Sequence, residues 1–425
     1  MSQTTQLKEL SFLVYGLGLS GLSVIKFFKK NKIKNFTIWD DNKKNQFKKL
    51  RARNLNNTLK KVDLIVLSPG ISLIKNKKLN HFKKKIITDI DLFYLFNDSS
   101  KSIVVTGTNG KSTTCKLLEH LLKKNKFKVS LGGNIGIPVL DLIKSKKNYV
   151  IIEASSFQLA HSKFIHPDYA FFINLTKDHL DWHGSMKRYL NSKLKIFDLQ
   201  NQNNYAFVNQ NIKNFFLKKF FLSKLIIPNY KDYKKIKLRI NNKYLTSDIN
   251  DENMSFVYAF SKLLKIKKNS FIESMKTFKG LSHRFEIFMK KNNTIFIDDS
   301  KATSFEATES ALNSLKNIYW ILGGLPKKGD KIVLKKNKKN IIKCYIIGKH
   351  VNFFKNQLKG KLAFSVTKNL KKSIIKIFND IKLENFSEKS ILLSPAAASF
   401  DQFKNFEERG KEFKKICKQY VRKLI

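Results

Sequence analysis

Short apolar runs alternate with longer amphipathic segments along almost all of this 425-residue chain, and this alternation is the strongest constraint on its fold. Runs such as "FLVYG", "SIVVTG", "YVIIEAS" and "SILLSPA" have the length of buried strands, and most end in Gly, Asp, Asn or Ser. Residues 112–125 and 304–315 lie between such runs and have helical periodicity. Strands that alternate with helices predict parallel sheets, which bind ligands beyond the carboxyl ends of their strands.

The chain is too long for a single core, so it should form two or three domains. A polar segment at 97–101, "NDSSK", separates a first αβ set from the next, and "FKGLSHRFE" at 278–286 precedes a third set. We therefore place the domains at residues 1–93, 94–282 and 283–425. Residues 210–250 belong to the middle domain by position, but their Lys, Asn and Phe follow no clear period.

The formal net charge of +51 is spread along the chain. Clustered Lys and Arg are typical of nucleic-acid binding, whereas this distribution predicts a solvated surface and leaves open a role in attracting an anionic substrate. Three distant cysteines predict no disulfide framework and no zinc ribbon, which favours the cytoplasm. The apolar run near the N-terminus contains three glycines and is followed by no small-residue cleavage site, so we expect neither export nor membrane insertion.

The first glycine motif is "GLGLSG" at 16–21, which fits G-x-G-x-x-G, and Asp40 ends the next predicted strand. Alone, this pattern predicts a dinucleotide-binding dehydrogenase. The other interpretation is a tight turn that only packs a strand against a helix.

The second glycine motif is "TGTNGKST" at 106–113, which resembles a phosphate-binding loop although Val105 stands where the usual pattern has its first glycine. Gly107 and Gly110 let backbone N–H groups turn toward a phosphate, Lys111 adds a positive charge, and a hydroxyl of Ser112 or Thr113 can reach a metal ion.

Two acidic or imidazole groups follow strands in the same predicted domain. Glu153 lies in "IIEASSFQL" and His179 in "NLTKDHLDWH". Together they could bind a divalent cation that bridges phosphates. The cluster of Asp178, Asp181 and His183 around His179 could also suggest zinc, but no tetrahedral N/S set can be drawn from it, so magnesium is favoured.

Two further motifs, "DDSKATS" at 298–304 and "LLSPAAASFDQFKNFEERG" at 392–410, follow strands of the third set. With "GTNGKST", "GGNIG", "EASSFQL", "DHLDWH" and "HRFE", in this order, they resemble the Mur ligases of peptidoglycan synthesis. The resemblance covers residues 12–410. Its last motif is not shared by folylpolyglutamate synthases or by other Mur ligases, which have the same phosphate loop.

The resemblance implies an α/β protein of three domains: an N-terminal Rossmann-like domain that holds a UDP-sugar, a central P-loop ATPase with a mostly parallel sheet, and a C-terminal Rossmann-like domain that binds the amino acid. It implies ATP and Mg²⁺ as cofactors, and UDP-N-acetylmuramoyl-L-alanine and D-glutamate as substrates. It further implies a carboxylate that is activated as an acyl phosphate, with no nicotinamide involved. We expect a monomer.

The resemblance also assigns roles to residues, as follows. The catalytic residues are Lys111, His179, Lys193 and Lys301. ATP would be bound by Gly107, Thr108, Asn109, Gly110, Lys111, Ser112, Thr113, Asn253, Arg284 and Asp299. The UDP-sugar would be bound by Gly18, Leu19, Ser20, Asp40, Ser68, Asn134 and His179. D-glutamate would be bound by Thr303, Lys327, Ser399 and Phe406. The metal would be held by Ser112, Glu153, His179 and Lys193, the last as a carbamate.

The chain departs from the family pattern at three places. Glu252 and Phe256 replace the His and the second Asn of H-N-x-x-N near the adenine, Asn42 stands where many relatives have Arg, and "GGLPKKGD" differs from some relatives although it keeps Lys327. Two alternatives come from other classes: a dehydrogenase and a nucleic-acid-stimulated NTPase. Another Mur ligase or a folylpolyglutamate synthase-like ligase are the alternatives within the family.

Overall fold

The computed structural model describes residues 7–43, 47–96, 100–142, 149–245, 248–327, 329–334, 336–383 and 388–423. The chain divides into two compact units, residues 1–278 and 279–425. The strands are β1 (Phe12–Tyr15), β2 (Phe36–Trp39), β3 (Leu64–Leu67), β4 (Ile86–Ile87), β5 (Lys101–Thr106), β6 (Val129–Gly133), β7 (Tyr149–Glu153), β8 (Tyr169–Phe172), β9 (Tyr205–Val208), β10 (Lys224–Ile226), β11 (Glu286–Lys291), β12 (Thr294–Asp298), β13 (Ile318–Gly323), β14 (Ile341–Ile347), β15 (Phe364–Lys368) and β16 (Lys389–Leu393). The α-helices are α1 (Leu19–Lys30), α2 (Leu55–Lys61), α3 (Lys77–Asn80), α4 (Asp89–Phe96), α5 (Lys111–Lys124), α6 (Ser156–His161), α7 (Leu180–His183), α8 (Met186–Leu194), α9 (Lys213–Leu217), α10 (Tyr230–Ile240), α11 (Asp248–Leu263), α12 (Lys268–Lys276), α13 (Phe305–Ser314), α14 (Val351–Leu358), α15 (Leu370–Lys382) and α16 (Phe406–Lys423).

The first unit contains two parallel sheets. The first has the strand order β2-β1-β3-β4, and the second has the order β10-β9-β8-β5-β7-β6. Central strands such as β1 and β8 are buried along their whole length, which explains why they read as unbroken apolar runs. In the second sheet β5 lies between β8 and β7, so the loop after β5 opens at the centre of that sheet edge.

The second unit contains one sheet of order β11-β12-β16-β13-β14-β15. All its pairs are parallel except the β11–β12 hairpin at one edge. Apolar clusters cover both faces of this sheet, one around Trp320 and Phe354 and the other around Tyr345 and Phe413.

A buried polar contact joins the two sheets of the first unit. Asp91, at the start of α4, accepts the N–H groups of Lys163 and Phe164 at 2.8 Å through one carboxylate oxygen. Its other oxygen accepts the N–H of Thr88 at 2.8 Å, and the Thr88 hydroxyl lies 2.9 Å from that of Ser162. Because Asp91 is fully buried, losing either set of donors would leave a desolvated carboxylate.

The structure confirms the predicted fold class of three mostly parallel α/β sheets. The predicted apolar runs are strands, and the helical segments at 112–125 and 304–315 are α5 and α13. Residues 210–250 contain α9, β10, α10 and the start of α11. The domain bounds stay a prediction: the bound at 93/94 falls inside α4, and residues 97–99 of the polar segment lie outside the described residues. Among the described residues, no helix combines the length and the apolar character needed to cross a bilayer.

Candidate active site

The phosphate loop turns from the end of β5 into α5 at Gly110. This residue has a φ of +78°, and a Cβ built on it would lie 2.3 Å from Asn253 Oδ1. A side chain would therefore be strained by the backbone and blocked by a neighbour, which explains the glycine. The N-terminus of α5 presents backbone N–H groups and the positive end of the helix dipole, as an anion site requires.

Two lysines meet at the carbonyl of Gly107. Lys111 Nζ donates to Gly107 O at 2.9 Å and to Thr108 O at 2.7 Å, and Lys193 Nζ donates to Gly107 O at 2.7 Å. Lys193 is only 1% exposed, and its burial together with the charge of Lys111 lowers its pKa well below the ordinary value, against the opposing effect of Asp178. Lys193 therefore has an amine that loses its proton readily.

The segment after β8 holds the first part of the loop. Asn174 Oδ1 accepts the N–H groups of Thr108 at 3.0 Å and Asn109 at 2.9 Å. The Thr108 hydroxyl donates to Thr176 O and lies 3.0 Å from the hydroxyl of Tyr189. The sequence motifs at 106–113 and 174–183 are thus in direct contact.

Glu153, at the end of β7, has a carboxylate suited to a cation. It is 2% exposed, and its Oε1 accepts from Asn134 Nδ2 at 2.8 Å. Its Oε2 is buried and has no hydrogen-bond partner among the described residues. A buried carboxylate oxygen without a donor is costly, and a divalent cation would satisfy it, so the residues present fit a hard metal ion.

His179 lies beside α6, the helix that follows Glu153. Its ring is 4.7 Å from that of Phe157 in α6, and its Nε2 is 3.3 Å from Asp178 Oδ2. Ser112, the first-turn hydroxyl of α5, is 4% exposed. The shared role of His179, Ser112 and Glu153 as metal ligands stays a proposal.

Among the described residues, a cluster of possible metal ligands lies in the second unit and does not include His179. This cluster consists of His283, Glu286 and Asp298, each of which has a possible ligand atom within 4.8 Å of those of the other two. There the ammonium of Lys414 lies 2.6 Å from Glu286 and 3.5 Å from Asp298, so it already balances the carboxylates. This group is an ion-pair network that holds the "HRFE" segment.

A cavity of about 440 Å³ opens at the ends of β1, β2 and β3. It is lined by Tyr15, Gly16, Leu17, Gly18, Leu19, Ser20, Asp40, Asp41, Asn42, Ser68, Pro69, Gly70 and Ile71. Most of the residues that the sequence proposed for the UDP-sugar are among these, namely Gly18, Leu19, Ser20, Asp40 and Ser68. Asn134 and His179 lie instead with the second sheet.

The carboxylate of Asp40 already accepts hydrogen bonds from backbone N–H groups of the two loops beside it. Its carboxylate accepts the N–H groups of Leu17 at 2.6 Å, Lys43 at 2.8 Å and Asn42 at 2.9 Å. Partial burial would raise its pKa, but these three N–H groups outweigh that effect and lower it. Asp40 is therefore an ionised residue that shapes the glycine turn of "GLGLSG".

Sequence reasoning missed four residues in or beside this cavity, namely Tyr15, Trp39, Asp41 and Arg51. Asp41 accepts from the Tyr15 hydroxyl at 3.1 Å and from Trp39 Nε1 at 2.8 Å, and Arg51 lies over the Trp39 ring at 4.4 Å. Arg51 also donates to Asp40 O at 3.2 Å. The guanidinium of Arg51 thus lies near the end of β2, where Asn42 replaces the arginine of many relatives. Only the three-dimensional packing of Arg51 against β2 reveals this position.

The second unit gathers several of the residues assigned to nucleotide and amino-acid binding. Lys301 Nζ lies 4.2 Å from the centre of the Phe406 ring. Arg284 and Asp299 interact electrostatically, and Asp299 accepts from the Ser394 hydroxyl at 2.7 Å and from the N–H of Phe285 at 3.0 Å. Burial raises the pKa of Asp299 to about 7 despite these donors and Arg284.

The turn that carries Lys327 pairs with the turn that carries Ser399. The backbone of Leu325 exchanges two hydrogen bonds with that of Ala398, at 2.9 and 3.0 Å. Ser399 is 2% exposed, whereas Lys327 is exposed and Thr303 is half-buried. The structure therefore brings the Lys327 and Ser399 segments together, and the place of Thr303 beside them stays a proposal.

Of the H-N-x-x-N motif the chain keeps Asn253 and replaces the other two positions, and Asn253 and Phe256 have different surroundings. Asn253 is 1% exposed, accepts from the Thr114 hydroxyl at 3.2 Å and has a buried Nδ2 without a partner among the described residues. Phe256 is 1% exposed and lies 6.2 Å from Phe171, inside an aromatic cluster. Phe256 is thus a core residue.

Comparison with known proteins agrees with this arrangement. The MurD-like N-terminal domain of Mur ligases matches residues 10–89, and the Mur ligase middle domain matches residues 105–272. Two solved structures from Thermotoga maritima share the fold: UDP-N-acetylmuramate-alanine ligase MurC (TM-score 0.58, 17% identity, 97% of this chain and 100% of that one) and MurF ligase in complex with ADP (TM-score 0.57, 15% identity, 98% and 97%).

The chain belongs to the Mur ligase family. Within it, the chain is 36% identical to the UDP-N-acetylmuramoylalanine–D-glutamate ligase of Rickettsia prowazekii, over 96% of this chain and 97% of that protein. It is 33% identical to the protein of the same name from Wolbachia pipientis wMel, over 97% of both chains.

Proposed function

We propose that this protein joins D-glutamate to UDP-N-acetylmuramoyl-L-alanine with conversion of ATP to ADP and phosphate, as a step of peptidoglycan precursor synthesis. The observation that carries the proposal is the 36% identity over 96% of the chain to a ligase of that name. The phosphate loop and the cavity beyond β1 supply the two binding features that such a ligase needs.

The reaction needs an activated carboxylate, because a carboxylate anion is a poor acyl donor. The L-alanine carboxylate attacks the γ-phosphorus of ATP, ADP leaves, and an acyl phosphate forms. The amine of D-glutamate then attacks the acyl carbon, and phosphate leaves from the tetrahedral intermediate as the amide forms. Charge stays on phosphoryl oxygens throughout, so positioned cations and N–H groups supply most of the catalysis.

The central sheet provides these groups. The start of α5 and Lys111 would hold the ATP phosphates, with Gly107, Thr108, Asn109, Ser112 and Thr113 forming the loop, and Asn253 would hold the adenosine. Glu153, His179 and Ser112 would hold Mg²⁺, and the unpaired Oε2 of Glu153 supports this assignment. Bound there, Mg²⁺ would neutralise phosphoryl charge.

Lys193 would supply a further carboxylate after carbamylation. Its neutral nitrogen attacks carbon dioxide and loses one proton, which gives an N-carboxylate of charge −1. The low pKa of the buried amine supports the proposal, because only the unprotonated amine reacts. Burial of a positive Lys193 beside Lys111 is also unfavourable, and the carbamate would reverse that charge.

The second unit would bind the amino acid. Lys327 and Ser399 lie on paired turns and would meet the two carboxylates of D-glutamate, with Thr303 and the backbone near Phe406. Lys301, on the Phe406 ring, would lie beside the reacting groups, and Arg284 with Asp299 would contact the nucleotide. We further propose a cytoplasmic monomer with no nucleic-acid partner and no membrane insertion.

A phosphate-release assay across several acceptors and amino acids tests the proposal. We expect release only when UDP-N-acetylmuramoyl-L-alanine and D-glutamate are both present. Turnover of UDP-N-acetylmuramate with L-alanine would assign the protein to another ligation step, and turnover of folates with L-glutamate would assign a folylpolyglutamate synthase. ATP hydrolysis that requires DNA or RNA would contradict the proposal altogether. Lys111→Ala serves as the inactive control.

A further inference from the structure

We propose that Glu252 is a positioning residue for the phosphate loop, and that it acts by fixing the orientation of the Asn174 side-chain amide. This inference rests on the proposed role of the loop in ATP binding. It assigns a function to a residue at which the chain departs from the family pattern.

Glu252 lies in α11, 78 residues from Asn174 along the chain, and its carboxylate bridges two amides. Its Oε2 accepts from Asn174 Nδ2 at 3.1 Å, and its Oε1 accepts from Asn209 Nδ2 at 2.5 Å. Asn209 Nδ2 also donates to Ile173 O at 3.0 Å, which fixes Asn209 against the end of β8. Both carboxylate oxygens of Glu252 therefore have a defined donor.

The orientation of Asn174 follows from the chemistry of these partners. A side-chain amide has a donor end and an acceptor end, whereas an ionised carboxylate only accepts. Asn174 must therefore turn its NH₂ group to Glu252, and this directs its oxygen to the N–H groups of Thr108 and Asn109. A flipped amide would set oxygen against carboxylate on one side and NH₂ against two N–H groups on the other.

The same helix turn holds both ends of the loop. Glu252 fixes the part that leaves β5 through Asn174, and Asn253 packs against Gly110, where α5 begins. A histidine at position 252 would offer one acceptor nitrogen at most and could not accept from both amides. The carboxylate therefore gives this chain a connection that the family pattern lacks.

Exchanging donors and acceptors tests the proposal. In Glu252→Gln, the NH₂ group of the new side chain would face the NH₂ group of Asn174 or Asn209, and two donors cannot pair. The orientation of Asn174 would no longer be fixed, so we expect ADP to bind roughly tenfold more weakly. In Asn174→Asp, two carboxylates face each other, and we expect at least the same loss. The double variant restores complementarity, because the new amide at position 252 would donate to the new carboxylate at position 174 and accept from Asn209. It should recover most of the affinity.

The measurements are the dissociation constant of ADP by calorimetry, the KM values for ATP and D-glutamate, and the melting temperature. The matched control is Glu273→Gln, a change at an exposed carboxylate of α12 that pairs with Lys276 and should leave every value unchanged. We expect the KM for ATP to rise while that for D-glutamate stays constant.

Two results would overturn the inference: unchanged ADP affinity in Glu252→Gln, whether or not its melting temperature falls, or a double variant that binds ADP no better than the weaker single variant. Because ADP binding is measured without ligation, failure of the proposed ligase activity would leave this test intact. The two failures are therefore distinguishable.

Discussion

Gly110→Ala should damage the phosphate loop through two separable effects. At a φ of +78°, alanine adopts the left-handed conformation at a cost of roughly 1–2 kcal/mol. Its Cβ would also lie 2.3 Å from Asn253 Oδ1, so Asn253 must move and lose the Thr114 hydroxyl, which costs roughly 0.5–1.5 kcal/mol more. We expect a total loss of roughly 1.5–3.5 kcal/mol in the free energy of unfolding of the first unit.

Gly360→Ala is the matched control for this prediction. Gly360 has a φ of +70° after the end of α14, but a Cβ there would meet no atom within 4 Å. This variant should lose only the conformational part. Urea denaturation measures the stability of the unit that carries each substitution, and calorimetry measures ADP affinity, which should fall in Gly110→Ala alone. Equal losses of stability with unchanged ADP affinity in both variants would refute the argument about Asn253.

Three further predictions address other groups. Lys193→Ala should be nearly inactive and partly restored by small added carboxylates; full phosphate release by this variant in bicarbonate-free buffer would argue against a carbamate. Ser399→Ala should raise the KM for D-glutamate about tenfold and leave that for ATP unchanged, because it removes one donor from a buried site; an equal rise in both would contradict its place in the amino-acid site. Burial, with Lys195 and His183, lowers the pKa of His161 from 6.5 to about 4, so the unfolded chain binds a proton that the folded chain does not, and the free energy of unfolding should fall as pH falls through that window. Denaturation at a series of pH values should give a flatter profile for His161→Phe, and an identical slope would show that His161 does not contribute.

The parts of the fold that the sequence predicted are those with strong local patterns. β1, β5, β8 and β13 are buried along nearly their whole length, so their apolar runs are unmistakable. Edge strands such as β10 and β15 are half-exposed and mixed with lysine, and β4 has only two residues. Such strands depend on pairing with a neighbour, and a single sequence does not display that pairing.

The same distinction applies to the candidate site. Gly110 and Lys111 could be recognised because the loop forms within a few residues. The roles of Glu252 and Arg51 could not, because they depend on contacts with Asn174 and Trp39 that no local sequence pattern displays. The burial of Phe256 could not be predicted from the sequence either, because it depends on contact with Phe171.

The Asp91 contact also has a consequence for how heat or ligands act on the first unit. The donors to its carboxylate come from the segment after β4 of the first sheet and from the segment before β8 of the second, so separating the sheets exposes the same buried carboxylate that unfolding either one would expose. Residues 1–278 should then give one calorimetric endotherm rather than two. We propose that ADP binds at one sheet and UDP at the other, so each should shift that single endotherm upward, and a ligand of either sheet should protect both from thermal unfolding.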